Sequence, residues 1–273
     1  MPTPAAVKIP VALGWQIVLH VSDRRALAPS AARRRALARV LARLGDAFGV
    51  YAWCAADNHL HVAAFCTHEQ ARELARRLQI ALLRSLELDV SFERPRLTAI
   101  NDAAHARSVL TYIIGQATHH CARQDDVHEG NCIHDLVGAR VIAPWLPVRV
   151  REHFPRVTRA QLLAPLGLEG FVDQGGLDAE ATAAAFALGS LGGRSDEVLA
   201  ARRATIAVAT TYTQVAIGAA LGVDERTVRR LTRGEPPAAH VVALRRQIGL
   251  RTALLSRPGS LVVSDRAAPA YRN

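Results

Sequence analysis

Lysine is almost missing from this chain: Lys8 is the only one among 34 basic residues, so the positive charge is carried by arginine. Cysteine is sparse as well. Cys54, Cys66, Cys121 and Cys132 form neither a CxxC zinc pattern nor a dense disulfide framework. No apolar run reaches the ~20 residues that span a bilayer, and residues 1–10 carry no apolar signal core. These absences argue against a membrane protein and a disulfide-stapled secreted domain, and predict a soluble protein of a reducing cytoplasm. Charged residues make up 21%, too few for a disordered polyelectrolyte, and 50% hydrophobic residues allow a sizeable core.

What remains is a basic globular chain of 273 residues, enough for one large domain or two modest ones. Its net charge is +10 and its pI about 10.6. Guanidinium groups form bidentate bonds to phosphate and stack on bases, so the charge points to a polyanionic partner, most often nucleic acid. A GC-rich genome explains arginine in place of lysine, but not the excess of positive over negative charge.

The β-branched run at residues 16–20 reads as a strand. Ser30 is a suitable N-cap for a helix burying Leu37, Val40, Leu41 and Leu44. Two strand-like runs, VYAWCAA and HVAAFC, meet around residues 57–60 as a hairpin. Residues 68–86 form a second amphipathic helix, 90–93 a short strand and 102–123 a third helix. This order predicts an α+β fold, an antiparallel sheet with helices on it. Pro144, Pro147, Pro155 and Pro165 mark a change of domain. The expected division is a domain at 1–150, a connecting segment at 151–194, a helical unit at 195–235 and a tail at 236–273.

His59-Leu60-His61 places two imidazoles on one face of a strand and Leu60 on the other. Tyr112 and Gln116, four residues apart, share one face of the third helix. Two nitrogens and an amide oxygen leave open positions on a metal for phosphate oxygens and water, and a phenol is a nucleophile suited to a polarised phosphate. His119 lies near the same helical face, and it or His120 is the alternative third ligand. Asp57 is either an outer partner of a histidine or a turn residue. His128, Cys132 and His134 fit no standard zinc spacing, and their segment is expected to be an exposed loop.

Three pieces in order resemble the HUH-type single-tyrosine transposases, in particular their REP-associated (RAYT-like) branch: the strand LHVSDR with Arg24 or Arg25 as its closing basic residue, the strand DNHLHV, and Tyr112 followed by Gln116. The resemblance covers residues 12–140. It implies a ferredoxin-like HUH fold, Tyr112 as the catalytic nucleophile forming a 5′-phosphotyrosine link, and His59, His61 and Gln116 holding Mg²⁺ or Mn²⁺. It also implies single-stranded and hairpin DNA as partners, no membrane, frequent action as a homodimer, and a place at the bacterial nucleoid. Ala56-Asp57 departs from the hydrophobic-Pro pair that many relatives carry before the asparagine.

The stretch QVAIGAALGVDERTVRRLTR has the pattern of a helix-turn-helix: Gly222 allows the turn, Asp224 caps the second helix, and Ile217, Leu221, Val223, Val228 and Leu231 form its core. Arg226, Thr227, Arg229, Arg230 and Arg233 are then the DNA-binding face. The residue types suit metal-assisted phosphoryl transfer, and the resemblance implies a metal-dependent single-strand DNA transposase. A replication-initiator-like HUH nickase, a non-catalytic DNA-binding regulator and a metal-dependent hydrolase without a covalent step are the alternatives.

Overall fold

The structure, a computed structural model, describes residues 12–119 and 125–257, with the side chains of 117–119 excepted. The chain is α+β. Its first part runs β1 (Gly14–His20), α1 (Ala31–Gly45), β2 (Val50–Ala56), β3 (His59–Ala64), α2 (His68–Ser85), β4 (Arg96–Ile100) and α3 (Ala103–His119). The four strands form one antiparallel sheet in the order β2-β3-β1-β4.

Alternation divides this sheet into two faces. Trp15, Ile17, Leu19, Leu60 and Val62 point to the α1/α2 side. Trp15 meets the His68 ring of α2 at 4.7 Å, and α1 and α2 pack against each other over this apolar face. Ser30 caps α1 by accepting from the Arg33 amide, and Thr67 with Gln70 forms a capping box on α2. Leu74, Leu78 and Leu82 recur every four residues on α2 and are buried, each contributing roughly 2 kcal/mol by burial. The opposite face carries Gln16, Val18, His20, His59 and His61. There α3 packs on β2 and β3.

The strand expected at 90–93 is not formed as such. Only Phe92 makes an isolated bridge, to Val21, and the fourth strand lies later, at Arg96–Ile100, along β1. Pro95 separates the two stretches. The true strand is an edge strand with mixed exposure, so it lacks a strong apolar signal.

The stretch around His128, Cys132 and His134, expected as an exposed loop, is almost wholly buried over its described residues 125–135, and the burial continues to Arg140. The Cys132 amide donates to the Trp53 carbonyl at 3.0 Å and the Ala55 amide to the Gly130 carbonyl at 3.0 Å, so the segment covers the β2 edge. Most of its polar groups find partners, within the segment or on elements packed against it. Asp125 accepts from the amides of Glu129 and Gly130, Arg140 pairs with Asp135, and Glu129 receives two bonds from Arg35 at 2.7 and 2.9 Å. Asn131 donates to the Ile114 carbonyl of α3 at 2.8 Å, fastening that helix from behind.

The short α4 (Ile133–Leu136) lies inside the buried segment just described, and α5 to α11 follow beyond residue 140. The helices α5 (Trp145–His153) and α6 (Arg159–Leu163) continue the sheet's core, which includes Leu146, Val150, Leu162, Leu163 and Leu168. A second core joins α7 (Ala179–Ala185), α8 (Asp196–Val208) and α11 (Ala238–Leu255). The stretch read as a C-terminal tail thus carries an 18-residue helix as far as Leu255. Residues 258–273 lie outside the described region. No helix among the described residues is long and apolar enough to cross a membrane.

Candidate active site and basic helical face

The hairpin turn sets the geometry of the site. Asp57 occupies the left-handed region at φ 51°, is exposed, and accepts the Leu27 amide through its carbonyl. It is the turn residue, not a partner of either histidine. The next residue takes that part: Asn58 Oδ1 lies 3.0 Å from His59 Nδ1 and accepts its proton, which leaves the lone pair of His59 on Nε2, the atom that faces His61. Both imidazoles are nearly buried, at 7% and 5% exposure, and their Nε2 atoms are 2.9 Å apart. Two nitrogens each about 2.1 Å from one ion subtend an angle of about 90° at this separation, so the pair has the bite of two adjacent ligands.

Gln16, on β1, reaches His61 Nδ1 at 3.4 Å through its amide. With the nitrogen forward it donates, and the His61 proton sits on Nε2. Rotated by 180° it accepts instead, which frees Nε2 for a cation, the usual arrangement behind a metal-bound imidazole. His20 stands opposite His59 in the sheet register, and their rings stack at 4.7 Å and 23°. Burial lowers the pKa of His20; Glu93 opposes this, and Arg96 and Arg24 reinforce it.

From the helix side, Tyr112 meets the edge of the His61 ring, with centroids 5.6 Å apart and planes at 85°. It is 48% exposed, so its phenol is open to solvent while the ring rests on the histidine. One turn on, Gln116 is 1% exposed, and its Oε1 has no hydrogen-bond partner. A buried unpaired carbonyl oxygen is costly and is the kind of atom a cation would satisfy. The donor set of two imidazoles and one amide oxygen therefore fits a divalent ion such as Mg²⁺ or Mn²⁺. The His119 side chain and His120, the alternative ligands, lie outside the described residues.

The other described tyrosines are placed differently. Tyr51 is fully buried, donates to the Ala106 carbonyl and has its pKa raised by burial. Tyr212 precedes α9, in the C-terminal part. His134 is not a metal ligand: its Nε2 faces the carbonyls of Val127 and His128, and its Nδ1 faces Gln247 Oε1 at 2.8 Å.

Arg24 and Arg25 sit in the exposed turn after β1. Arg24 has φ 60°; Arg25 is engaged by Asp23 and Asp89. In the C-terminal part, α9 (Gln214–Leu221) and α10 (Glu225–Thr232) join through Gly222 at φ 63°, with Asp224 accepting from the Thr227 amide. A side chain at Gly218 would place its Cβ 2.7 Å from the Val223 carbonyl oxygen, so this close turn needs glycine there. Ile217, Leu221 and Val228 form a small core with Ala209. Arg226, Arg230 and Arg233 are exposed on the outer side, and Thr227 is partly exposed. Arg229 is exposed too but bonds Glu225 and Gln214.

Three groups near the histidines were not anticipated as site residues: Gln16, His20 and Asn58. Strand phase was the available signal, since 16, 18 and 20 share one face and that face adjoins 59 and 61. Comparison with protein families, curated proteins and solved structures finds no match for this chain.

Proposed function

We propose that the chain is a metal-dependent single-stranded DNA endonuclease and strand transferase of the HUH transposase type, with Tyr112 as nucleophile. The observation that carries this reading is the contact between Tyr112 and the buried His59–His61 pair, with the unpartnered oxygen of Gln116 one helical turn away. The β-α-β-β-α-β order with strand order β2-β3-β1-β4 supports a ferredoxin-like scaffold. The α9–α10 pair, with its basic outer side, supports a helix-turn-helix that grips duplex or hairpin DNA near the cut.

In this reading the Tyr112 oxygen attacks the scissile phosphorus. A P–O bond forms to the phenol, the P–O3′ bond breaks, and the 5′ phosphate stays on the tyrosine. The phenolic proton leaves to water, to which the half-exposed side chain is open, and the departing O3′ takes a proton from water to become a 3′-OH. A divalent cation held by His59, His61 and Gln116 would draw charge from the phosphate and make it a better electrophile. Asn58 and Gln16 hold the imidazole planes; α3, fastened by Asn131, holds the phenol over them. One phosphodiester replaces another, so rejoining by a 3′-OH needs no ATP.

The test is adduct formation. Labelled single-stranded hairpin DNA from the gene's flanks is incubated with the protein and Mn²⁺ or EDTA and run on a denaturing gel. A Mn²⁺-dependent protein–DNA band that disappears in Tyr112→Phe is expected. Cleavage without such a band, or a band that persists in Tyr112→Phe, would overturn the assignment.

A further inference from the structure

The back of the sheet carries a second basic surface, away from Tyr112. There α1 and α2 lie side by side, and the groove between them has a volume of about 460 Å³. Arg43 lines it from α1 and Arg76, Arg77 and Arg84 from α2, together with the exposed apolar Ile80. All four guanidiniums are exposed. Arg76 and Arg77 share the single carboxylate of Glu73, and Arg43 and Arg84 have no ion-pair partner among the described residues. Four arginines against one carboxylate leave an excess of three positive charges in one groove. Arg77 also lies over the Phe48 ring at 5.3 Å, which holds its stem against the surface.

Such a surface is costly to leave uncovered by anions, because like charges held on neighbouring helical turns repel. Its position excludes the strand cut at Tyr112 as occupant: α3 and the two site histidines face the other side of the sheet. Arg77 and Arg84, seven residues apart on one helix, are separated by roughly 10 Å along its axis, a span that covers successive phosphates of one strand. We propose that the α1–α2 groove binds the phosphate backbone of double-stranded DNA. The cations make no base contacts there, so the binding is independent of sequence and steeply dependent on salt. Arg43 and Arg84, the unneutralised pair, are its principal contacts. The inference stands apart from the role of Tyr112.

The test is fluorescence anisotropy of a blunt duplex of about 20 base pairs over a KCl series, with each phosphate contact contributing about 0.9 to the slope of log affinity against log salt. It uses the full chain carrying Arg226→Ala, Arg230→Ala and Arg233→Ala, so that α10 contributes little. In that background Arg43→Gln with Arg84→Gln should reduce the slope by about two and weaken binding at 0.1 M salt on the order of 50-fold. Arg43→Lys with Arg84→Lys should keep the slope, since lysine supplies the same charge. Unchanged slope and affinity in the glutamine pair, with a matching thermal melt, would overturn the proposal. So would a loss confined to anionic phosphatidylserine vesicles with the duplex unaffected, which would assign the groove to a lipid surface. Adducts at Tyr112 on a short single strand should be the same in the glutamine pair as in the triple-alanine background it is built on; their absence from the unsubstituted chain too would count against the nuclease reading alone.

Discussion

The amide oxygen of Gln116 is the atom whose replacement says most about the site. It is buried to 1% exposure without a hydrogen-bond partner, and such an oxygen costs the folded chain about 1–3 kcal/mol. A cation between Gln116 and the two imidazoles would remove that cost. Gln116→Glu keeps the shape and offers a charged oxygen, the preferred ligand of Mg²⁺ and Mn²⁺. Binding roughly tenfold tighter than in the parent is expected, which at saturating Mn²⁺ is worth about 1.4 kcal/mol of added stability. In a chain of this size that is a further rise in Tm of about 2–3 °C. Gln116→Leu removes the oxygen and should shrink the Mn²⁺-induced rise by at least as much. Differential scanning calorimetry of the three proteins, with EDTA and with Mn²⁺, reads these shifts directly. Equal Mn²⁺-induced shifts in all three would refute the reasoning, because Gln116 would then not face the ion.

Other outcomes follow from the surrounding structure. Glu129→Gln takes the charge from a pair with Arg35 in which both side chains are nearly buried; breaking such a pair costs about 3–5 kcal/mol, and a thermal melt should fall by about 5–9 °C. An unchanged melt would mean that Glu180 and the neighbouring carbonyls hold Arg35 unaided. His128 is buried and neutral, its pKa lowered to about 3 mainly by burial and then by Arg257 and His134. Because the unfolded chain takes up a proton there first, stability present above pH 6.5 is lost as pH falls toward 3, by about 1.4 kcal/mol per unit. In His128→Asn, which tolerates the φ of 54° at this position, chemical denaturation between pH 6.5 and 4 should show a shallower acid limb; an identical limb would assign the acid sensitivity to other groups. Gly218→Val should open the α9–α10 turn and weaken duplex binding by more than about tenfold, with adducts at Tyr112 retained. Undiminished duplex affinity would separate α10 from DNA binding.

Much of the sheet was legible because its strands alternate cleanly: Ile17 and Leu19, like Leu60 and Val62, are apolar on the side that α1 and α2 cover. The fourth strand was misplaced because residues 90–93 look more apolar than the edge strand at 96–100. The stretch around 125–135 was misread for a different reason. Asp, His, Glu, Asn and Arg normally mark a solvated loop, and its burial depends on partners far away in sequence, such as Arg35 for Glu129 and Gln247 for His134. Local patterning carries no trace of those pairings. The helix α11 escaped notice because it is packed on several sides, burying Leu244, Gln247, Ile248 and Leu250, and therefore shows no single apolar stripe. At the site, the spacing of His59, His61, Tyr112 and Gln116 was readable. The supporting Gln16, His20 and Asn58 required knowledge of which strands pair.

The most direct test of the central claim is to locate the nucleotide. The Mn²⁺-dependent adduct would be isolated, treated with nuclease and trypsin, and the peptide 108–123 examined by mass spectrometry. That peptide contains Tyr112 and no other tyrosine. The account predicts a residual nucleotide joined through a 5′ phosphate to Tyr112. A nucleotide on Tyr212 or Tyr271, or cut DNA with no modified peptide, would contradict it.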